Sequence, residues 1–210
     1  MFGPAKLAIK NVIRPLIYRY PPIMIRPERL LLWKQTVIDT ADVPGEVIEV
    51  GCYLGGTSAV TAKMMANLGI KKKYSAYDTF SGFVENQVKT DNAASVQHHF
   101  SANSPKLTRW VLNRHGGENV AIIQGDIASL PDTDLPDALS ACLLDVDLSE
   151  PIYLGLKRIL PRLSAGGIIL VDDCEDGGWY KARVGYEQYM LELGQPPLYK
   201  YGMGILKKSN

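Results

Sequence analysis

Residues 45–56 read Gly-Glu-Val-Ile-Glu-Val-Gly-Cys-Tyr-Leu-Gly-Gly, and the rest of the chain is interpreted outward from them. Glu46–Val50 is a short apolar run rich in β-branched residues, and the glycine-rich turn after it passes into residues 57–64, which have helical composition. A strand, a tight glycine turn and a helix are typical of the unit that opens a nucleotide-binding α/β fold. Glycine lets a ligand lie directly against the backbone, so we expect a ligand site above this turn.

The charge at this turn indicates which kind of ligand it suits. Gly51, Gly55 and Gly56 do not follow the G-x-G-x-x-G spacing of dinucleotide-binding proteins, and Glu49 lies two residues before the first of them. A carboxylate in that place favours a cationic group over a pyrophosphate. S-adenosylmethionine carries an ammonium and a sulfonium and no phosphate, and it therefore fits Glu49 and Gly51. A turn that only serves close packing is the alternative.

Length and composition limit the classes of protein that are possible. The chain has 210 residues, of which 46% are hydrophobic, and this predicts one well-filled domain. A net charge of +1 with interspersed charges does not indicate a nucleic-acid partner. The apolar runs are too short for a membrane span, and Lys6, Lys10 and Arg14 interrupt the apolar core that a signal peptide would need.

The cysteines indicate the compartment. Cys52, Cys142 and Cys174 each lie in or beside an apolar run and show no C-x-x-C spacing. They are interpreted as buried thiols in a reducing environment, without a disulfide framework or a zinc site. A soluble, cytoplasmic protein is the expectation.

Residues 1–26 are predicted to form an N-terminal helical extension. Apolar residues are interspersed there with lysines and arginines until Pro21-Pro22, which predicts a basic amphipathic helix. A membrane-surface element, a subunit contact and a lid are all possible roles, and packing on the chain's own domain or on a neighbour is the favoured one. We expect a homo-oligomer that forms through these helices. A further helix over residues 27–42 should cover one side of the sheet.

The remaining pattern alternates strands with helices and predicts a Rossmann-like, doubly wound α/β fold. Its mostly parallel sheet has seven strands and ends in a hairpin that supplies one C-terminal antiparallel strand. The predicted strands are 46–50, 74–78, 119–124, 138–144, 166–171, 197–200 and 203–207. Helices are predicted over 93–100, 105–115, 152–163 and 179–193, whereas 79–92 reads as a long irregular loop of the kind that usually carries function.

The carboxyl ends of the second and third strands supply further candidate ligand-binding residues. Asp78 ends the second strand, where parallel α/β proteins place the residue that hydrogen-bonds a ribose. Gly125-Asp126-Ile127 ends the third strand, where the adenine of an adenosyl ligand would be reached. The alternative for Asp78 is a cap of the following turn, together with Thr79 and Ser81.

Acidic residues end the fourth and fifth strands. Asp145 and Asp147 follow one strand, Asp172 and Asp173 follow the other, and both ends should meet at the same edge of the sheet. Carboxylates without a compensating lysine or arginine repel one another unless they are protonated or bridged by a cation. Oxygen ligands select a hard ion, so Asp145, Asp172 and Asp173 predict a Mg²⁺ site. Helix capping would explain Asp147 or Asp173 singly.

Several of these motifs occur together in the order that is found in a known family. The chain resembles class I S-adenosylmethionine-dependent methyltransferases, and within them the macrocin O-methyltransferase-like family that decorates sugars of macrolide antibiotics. The resemblance covers about residues 36–208. It rests on Val-Pro-Gly-Glu-Val-Ile-Glu-Val-Gly at 43–51, Asp-Thr-Phe-Ser-Gly-Phe at 78–83, Gly125-Asp126, Leu-Asp-Val-Asp-Leu at 144–148, Pro-Arg-Leu-Ser-Ala-Gly-Gly at 161–167 and Val171-Asp172-Asp173.

The resemblance implies an enzyme that transfers the sulfonium methyl group to a hydroxyl, with residues 27–210 as the methyltransferase domain. It implies that Asp145, Asp172 and Asp173 bind Mg²⁺ and that Asp145 is catalytic, either as proton acceptor or as metal ligand. His98, His99 and His115 are reserve candidates for the base, although surface or capping roles are favoured for the first two. The implied cofactor-binding set is Glu49 for the methionine end, Gly51 for the turn, Asp78 for the ribose, Asp126 for the adenine, and around them Tyr53, Gly55, Thr57, Ser58, Thr79, Phe80, Gly125, Ile127 and Asp145.

Two departures from the family pattern affect the acceptor. The family commonly has Asp-Gly-Asp where this chain has Asp145-Val146-Asp147, and few sugar-stacking residues are apparent in the sequence. The acceptor hydroxyl is therefore expected on a sugar, a phenol or another natural product. A metal-free N-methyltransferase of the same fold is one alternative, and a non-catalytic adenosyl-binding or partner-binding module is another.

Overall fold

The protein folds around one seven-stranded sheet. The computed structural model describes residues 13–97 and 99–209. The strands lie in the order β3-β2-β1-β4-β5-β7-β6. They are β1 (Glu46–Val50), β2 (Tyr74–Asp78), β3 (Ala121–Gln124), β4 (Leu139–Leu144), β5 (Leu163–Val171), β6 (Leu198–Lys200) and β7 (Met203–Lys207).

Helices flank both faces of this sheet. They are α1 (Pro27–Asp39), α2 (Gly56–Asn67), α3 (Glu85–Thr90), α4 (Pro105–His115), α5 (Ser149–Ile159) and α6 (Ala182–Glu192), with short 3₁₀ turns at Ala94–Val96, Asp132–Asp134 and Leu160–Arg162. The start of α4 follows the sequence closely, because Ser104 caps it by accepting a hydrogen bond from Leu107 N and Pro105 occupies the first turn.

The sheet topology places the ligand site. Strands β1 to β5 are parallel, and β7 is antiparallel to both of its neighbours, β5 and β6. The predicted fold class is confirmed. The strand order reverses at β1, which pairs with β2 on one side and with β4 on the other. In open α/β sheets ligands bind outside the carboxyl ends of the strands at such a reversal.

The core lies on both faces of the sheet. Every residue of β4 is buried, and its side chains alternate between the two faces. Cys142 and Leu144 face a cluster that includes residues of α5 and α6, whereas Ala141 and Leu143 face a cluster that includes Trp33 and other residues of α1, α2 and α4. All three cysteines are buried thiols without a disulfide, as predicted.

Three predicted boundaries are corrected. The segment 79–92 contains helix α3, and the helix predicted at 93–100 is reduced to a 3₁₀ turn at Ala94–Val96, with His98 outside the described residues. Strand β5 begins at Leu163 instead of residue 166. Leu163 pairs with Leu139, and the register then shifts before Ile168. Gly166 allows this irregularity because its φ is +79°.

The N-terminal extension is described from residue 13. Residues 13–17 are helical, and the ring of Tyr18 contacts Trp110 edge-on at 6.0 Å between centroids. Leu16 and Ile17 remain largely exposed. Residues 1–12 of the helical extension predicted over residues 1–26 lie outside the described residues, and the homo-oligomer stays a prediction. In the described part of the chain, no helix has the length and apolarity that a membrane span requires.

The end of the extension packs on the domain. Ile25 is buried in the core, and a Cβ on Gly56 would lie 2.1 Å from the carbonyl oxygen of Pro22. The chain therefore crosses directly over the start of helix α2. The predicted boundary at residue 26 stays a prediction, and Pro22 and Met24 line the cavity described below.

Candidate functional site

A cavity of about 330 Å³ lies at the carboxyl ends of β1, β2, β4 and β5. Most of the predicted site residues line it, namely Glu49, Gly51, Tyr53, Thr57, Asp78, Thr79, Gly125, Asp126, Ile127, Asp145, Asp172 and Asp173. Within the described part of the chain, Gly55, Ser58 and Phe80 lie outside this lining. Gly55 is the N-cap of α2, while Ser58 and Phe80 hold acidic residues of the site through hydrogen bonds.

The glycine turn brings two backbones into contact. Gly51 has φ +91°, and a Cβ at this position would lie 1.6 Å from the carbonyl oxygen of Asp145. The Gly51 N–H donates to Tyr77 O at 2.8 Å, and Asp145 N donates to Val50 O at 2.8 Å. The ends of β1, β2 and β4 therefore meet at Gly51, and only a residue without a side chain fits there.

Glu49 lies beside this turn and is the most buried of the acidic residues that line the cavity. Its carboxylate accepts hydrogen bonds from Ser58 Oγ at 2.8 Å and from the Tyr74 hydroxyl. Burial raises the pKa of Glu49 to about 7, although both hydrogen bonds act in the opposite direction. A cationic ligand group would compensate the ionised carboxylate in this place. Tyr74 is a residue that sequence reasoning missed.

Asp78 connects two loops. Its carboxylate accepts hydrogen bonds from Tyr53 N and Phe80 N, each at 2.7 Å, and from Asn103 Nδ2 at 3.0 Å. The bond from Phe80 N makes Asp78 the cap of the following turn, which was the alternative reading of the sequence. Burial raises the pKa of Asp78, and the three hydrogen bonds oppose that rise. Its ribose-binding role stays a prediction.

Asp126 is held from helix α3. Gln87 Nε2 donates to Asp126 Oδ2 at 2.8 Å, and Ala128 N donates to Oδ1 at 3.0 Å. Gln87 is buried and lines the cavity. Sequence reasoning missed it because residues 79–92 were interpreted as an irregular loop, and nothing local marks which of their polar residues turns inward.

Three carboxylates at the ends of β4 and β5 form a compact group, called here the acidic triad: Asp145, Asp147 and Asp173. One oxygen of each lies within 4.8 Å of the others. Burial, followed by repulsion from neighbouring acids, raises the pKa of Asp145 well above its ordinary value. Burial and a hydrogen bond with Asp173 do the same for Asp147. Closely spaced oxygen donors that repel one another suit a hard divalent cation.

Asp172 departs from the predicted ligand arrangement. Arg29 Nη1 lies 2.8 Å from Asp172 Oδ1 and 2.6 Å from Asp173 Oδ1, so the expectation that no basic residue compensates these acids was wrong. Arg29 lies on α1, 143 residues before Asp172, and only the folded chain brings the two together. Asp147 takes the place in the compact group that was predicted for Asp172. Ligation by Asp172 stays a prediction.

Four aromatic residues that line the cavity are called here the aromatic wall: Tyr53, Phe83, Phe100 and Tyr180. Phe100 contacts Tyr53 at 5.3 Å and Phe83 at 5.8 Å between ring centroids, both edge-on. Burial, then the charges of the acidic triad, raise the pKa of the Tyr180 hydroxyl to about 12. Few stacking residues are apparent in the sequence, because the four rings come from separate loops.

The histidines lie at different distances from the site. His99 Nδ1 is 3.2 Å from the Tyr180 hydroxyl. His99 thus contacts the aromatic wall but is not part of the cavity lining. His115 Nε2 lies 3.0 Å from Tyr18 O, next to the N-terminal extension and outside the cavity lining. His98 lies outside the described residues.

Comparisons with known proteins identify a family and a relative that are similar to this chain. The sequence model of the macrocin-O-methyltransferase (TylF) family matches residues 22–189. A curated relative, 8-demethyl-8-(2,3-dimethoxy-alpha-L-rhamnosyl)-tetracenomycin-C 4'-O-methyltransferase of Streptomyces olivaceus, is 28% identical over 169 residues. The match covers 72% of this chain and 63% of that protein. The chain thus spans less than two thirds of the relative's length.

Solved structures share the fold. The O-methyltransferase NovP is similar with a TM-score of 0.78 and 21% identity, over 90% of this chain and 82% of that one. The calicheamicin methyltransferase CalS11 gives a TM-score of 0.71 and 18% identity, over 99% and 94% of the two chains. The family match spans well over half of the sequence and includes every strand that contributes to the cavity. The chain therefore belongs to the macrocin-O-methyltransferase (TylF) family, whose members are S-adenosylmethionine-dependent methyltransferases.

Proposed function

We propose that this protein is a Mg²⁺-assisted O-methyltransferase that transfers the methyl group of S-adenosylmethionine to a hydroxyl of a small molecule, on a sugar or another natural product. One observation carries the proposal. A single cavity joins the glycine turn, with Glu49, Asp78 and Asp126, to the acidic triad. A cofactor and an oxygen-rich acceptor could thus meet in one shared cavity, which is what a direct transfer requires.

The cofactor half of the cavity is proposed to use the strand-end residues in chain order. Glu49 faces the ammonium of the methionine moiety, and Gly51 allows that moiety to approach the backbone. Asp78 accepts from the ribose, and Asp126, held by Gln87, lies near the adenine. Each carboxylate suits its proposed group, because the ligand offers cationic groups and hydrogen-bond donors and no phosphate.

Asp145, Asp147 and Asp173 would hold the Mg²⁺ ion, since their oxygens lie within 4.8 Å of one another. A bound divalent cation supplies positive charge that lowers the pKa of a nearby hydroxyl. Asp145 is the proposed proton acceptor. Its carboxylate lines the cavity within the acidic triad, where the acceptor hydroxyl is proposed to lie.

The acceptor is proposed to lie between the acidic triad and the aromatic wall. The name of the curated relative places its methylated hydroxyl on a rhamnosyl group, so a deoxyhexose is the first acceptor to test. Oxygen atoms on one side of such a ring can face carboxylates, while its C–H face packs on aromatic rings.

The test is methyl transfer from radiolabelled S-adenosylmethionine to a panel of rhamnosides, other hexosides and catechols, with MgCl₂ and with EDTA. Calorimetry with S-adenosylhomocysteine measures cofactor binding in parallel. We expect cofactor binding in both conditions and transfer to a hydroxyl acceptor only with Mg²⁺. Undiminished transfer in EDTA would remove the metal from the proposal, and absent cofactor binding would contradict the methyltransferase activity of this chain.

Cofactor affinity is expected to rise with pH through about 7, because Glu49 must be ionised to compensate the ammonium and its pKa lies there. The affinity should change by up to about tenfold per pH unit below 7. Glu49→Gln removes the titrating group and should flatten this dependence, while Glu46→Gln on the same strand should not. The measurement is calorimetric binding of S-adenosylhomocysteine from pH 5.5 to 8.5. An equal slope in the wild type and Glu49→Gln would contradict the assignment.

Phe100→Leu is expected to raise the KM for the acceptor about three- to tenfold, because edge-on aromatic contacts contribute about 0.5–1.5 kcal/mol. The Kd for S-adenosylhomocysteine should stay within about twofold. Tyr180→Phe keeps the ring and removes only the hydroxyl, and it serves as the matched variant for the wall. An equal loss of cofactor affinity in Phe100→Leu would assign the aromatic wall to the cofactor half.

A further inference from the structure

Arg29 reaches the end of β5 from helix α1 and is buried there, with 2% of its side chain exposed. Its Nη1 lies 2.8 Å from Asp172 Oδ1 and 2.6 Å from Asp173 Oδ1, and its Nη2 lies 2.8 Å from Glu175 Oε1. One guanidinium thus forms ion pairs with three carboxylates. Arg29 also lines the cavity, on the same side as Asp172 and Asp173.

The guanidinium is fixed by the hairpin at the far end of the chain. Arg29 Nε donates to Tyr201 O at 3.0 Å. A Cβ on Gly202, which has φ +75°, would lie 2.9 Å from Arg29 Nη2 and 2.5 Å from Glu175 Cγ. The turn between β6 and β7 therefore packs directly against the arginine. Arg29 is held by main chain as well as by charge, and its position does not depend on any single carboxylate.

The charges at this edge of the sheet need such a partner. Burial alone would lower the pKa of Arg29, but Asp172, Asp173 and Glu175 together raise it, so the guanidinium stays charged. Burial raises the pKa of Asp172 to about 6, and Arg29 opposes that rise. A buried carboxylate without a partner is strongly destabilising, and Arg29 supplies the partner while no other cation is present.

We propose that Arg29 is a positioning residue that acts as a built-in counter-cation for the acids at the end of β5 and shares Asp173 with the divalent cation. This inference rests on the proposed function, because it concerns the same metal site. Arg29 occupies Oδ1 of both aspartates and places a positive charge beside the triad. It therefore keeps the ligands in place without the ion and weakens the affinity for the ion.

The test is calorimetric titration of MgCl₂ into the wild-type protein saturated with S-adenosylhomocysteine, and into Arg29→Gln, Arg29→Lys and Arg26→Gln. Removal of the charge in Arg29→Gln should tighten Mg²⁺ binding by about tenfold or more, since a unit charge at this distance repels the ion through a poorly screened medium. Arg29→Lys keeps the charge and should stay near the wild type. Arg26 is exposed and pairs only with Glu175 among the described residues, so Arg26→Gln should stay within about twofold.

A second measurement is the thermal unfolding of the same variants, first without metal and then with Mg²⁺. In EDTA, Arg29→Gln should lower the Tm more than Arg26→Gln does, and adding Mg²⁺ should raise the Tm of Arg29→Gln more than that of the wild type. If Arg29→Gln does not fold, the double variant Arg29→Gln/Asp172→Asn is compared with Asp172→Asn alone, since the double change removes the buried pair together. Tighter Mg²⁺ binding in the double variant is again expected.

The outcomes separate this inference from the proposed function. Unchanged or weaker Mg²⁺ binding in Arg29→Gln, with normal binding by the wild type, would overturn the role of Arg29 and leave the metal-assisted reaction intact. Tighter binding in Arg29→Gln without methyl transfer to any acceptor by the wild type would support the role of Arg29 and overturn the proposed reaction. No Mg²⁺ binding by any variant would overturn both.

Discussion

Asp145→Asn is expected to abolish Mg²⁺ binding and to reduce methyl transfer by about 10³-fold or more. The substitution removes one oxygen charge from the acidic triad and at the same time removes the proposed proton acceptor. General-base catalysis alone contributes about 10²–10⁴-fold in enzymes. Binding of S-adenosylhomocysteine should weaken by less than about tenfold, because Glu49, Asp78 and Asp126 remain. Calorimetry measures the binding of Mg²⁺ and of S-adenosylhomocysteine, and the radiolabel assay measures the rate of methyl transfer.

The sign of the stability change separates this result from misfolding. The folded-state pKa of Asp145 is raised, so its ionised form destabilises the metal-free protein, and stability falls as pH rises above the ordinary carboxyl pKa. Metal-free Asp145→Asn should therefore have at least the Tm of the wild type at pH 8. The control is Asp176→Asn, because Asp176 is almost fully exposed nearby. Retained Mg²⁺ binding and transfer in Asp145→Asn would contradict the assignment.

Gly51→Ala is expected to destabilise the fold by about 2–5 kcal/mol and to eliminate cofactor binding. The new Cβ would lie 1.6 Å from Asp145 O, so β1 and β4 would have to separate at the centre of the sheet. Backbone strain from the positive φ adds about 1–2 kcal/mol, and overpacking in a core typically costs about 1–3 kcal/mol. Urea unfolding measures the loss of stability, and calorimetry with S-adenosylhomocysteine measures the loss of binding.

Gly69→Ala is the matched control for this prediction. Gly69 also has a positive φ, +70°, but no atom lies within 4 Å of the position its Cβ would take. Gly69→Ala therefore has the backbone strain without the steric clash. It should lower the free energy of unfolding by about 1–2 kcal/mol and leave cofactor binding unchanged. Equal losses of stability in the two variants would mean that the close approach at Gly51 is relieved by a small shift of the backbone.

The sequence predicted most of the sheet because each strand is a short apolar run that ends at a polar residue. Strands β1, β2 and β7 have the predicted bounds, and β4 is nearly as predicted, since its continuous apolar pattern can only be buried on both faces. The positions of the cavity-lining residues at the strand ends were predictable for the same reason. A residue at the carboxyl end of a parallel strand is placed by the strand itself.

The residues that the sequence could not supply come from outside the strand ends. Arg29 reaches the acids from α1, and Gln87 reaches Asp126 from a helix that was interpreted as a loop. The aromatic wall combines Phe83, Phe100 and Tyr180, which lie on three separate segments. Their directions depend on tertiary packing and not on local periodicity, so no motif marks them. The cavity-lining residues at the strand ends were thus predicted, and those contributed by α1, α3 and the loops were not.

Residues 21–24 cross over the start of α2 at the edge of the cavity. Pro22 rests on Gly56, and Pro22 and Met24 form part of the wall. This segment leads into α1 and packs on the domain through Pro22 and the neighbouring buried Ile25. A ligand that fills the cavity touches the segment and the strand ends together. Ligand binding and docking of the segment are then one thermodynamically linked equilibrium, in which each stabilises the other by the same free energy.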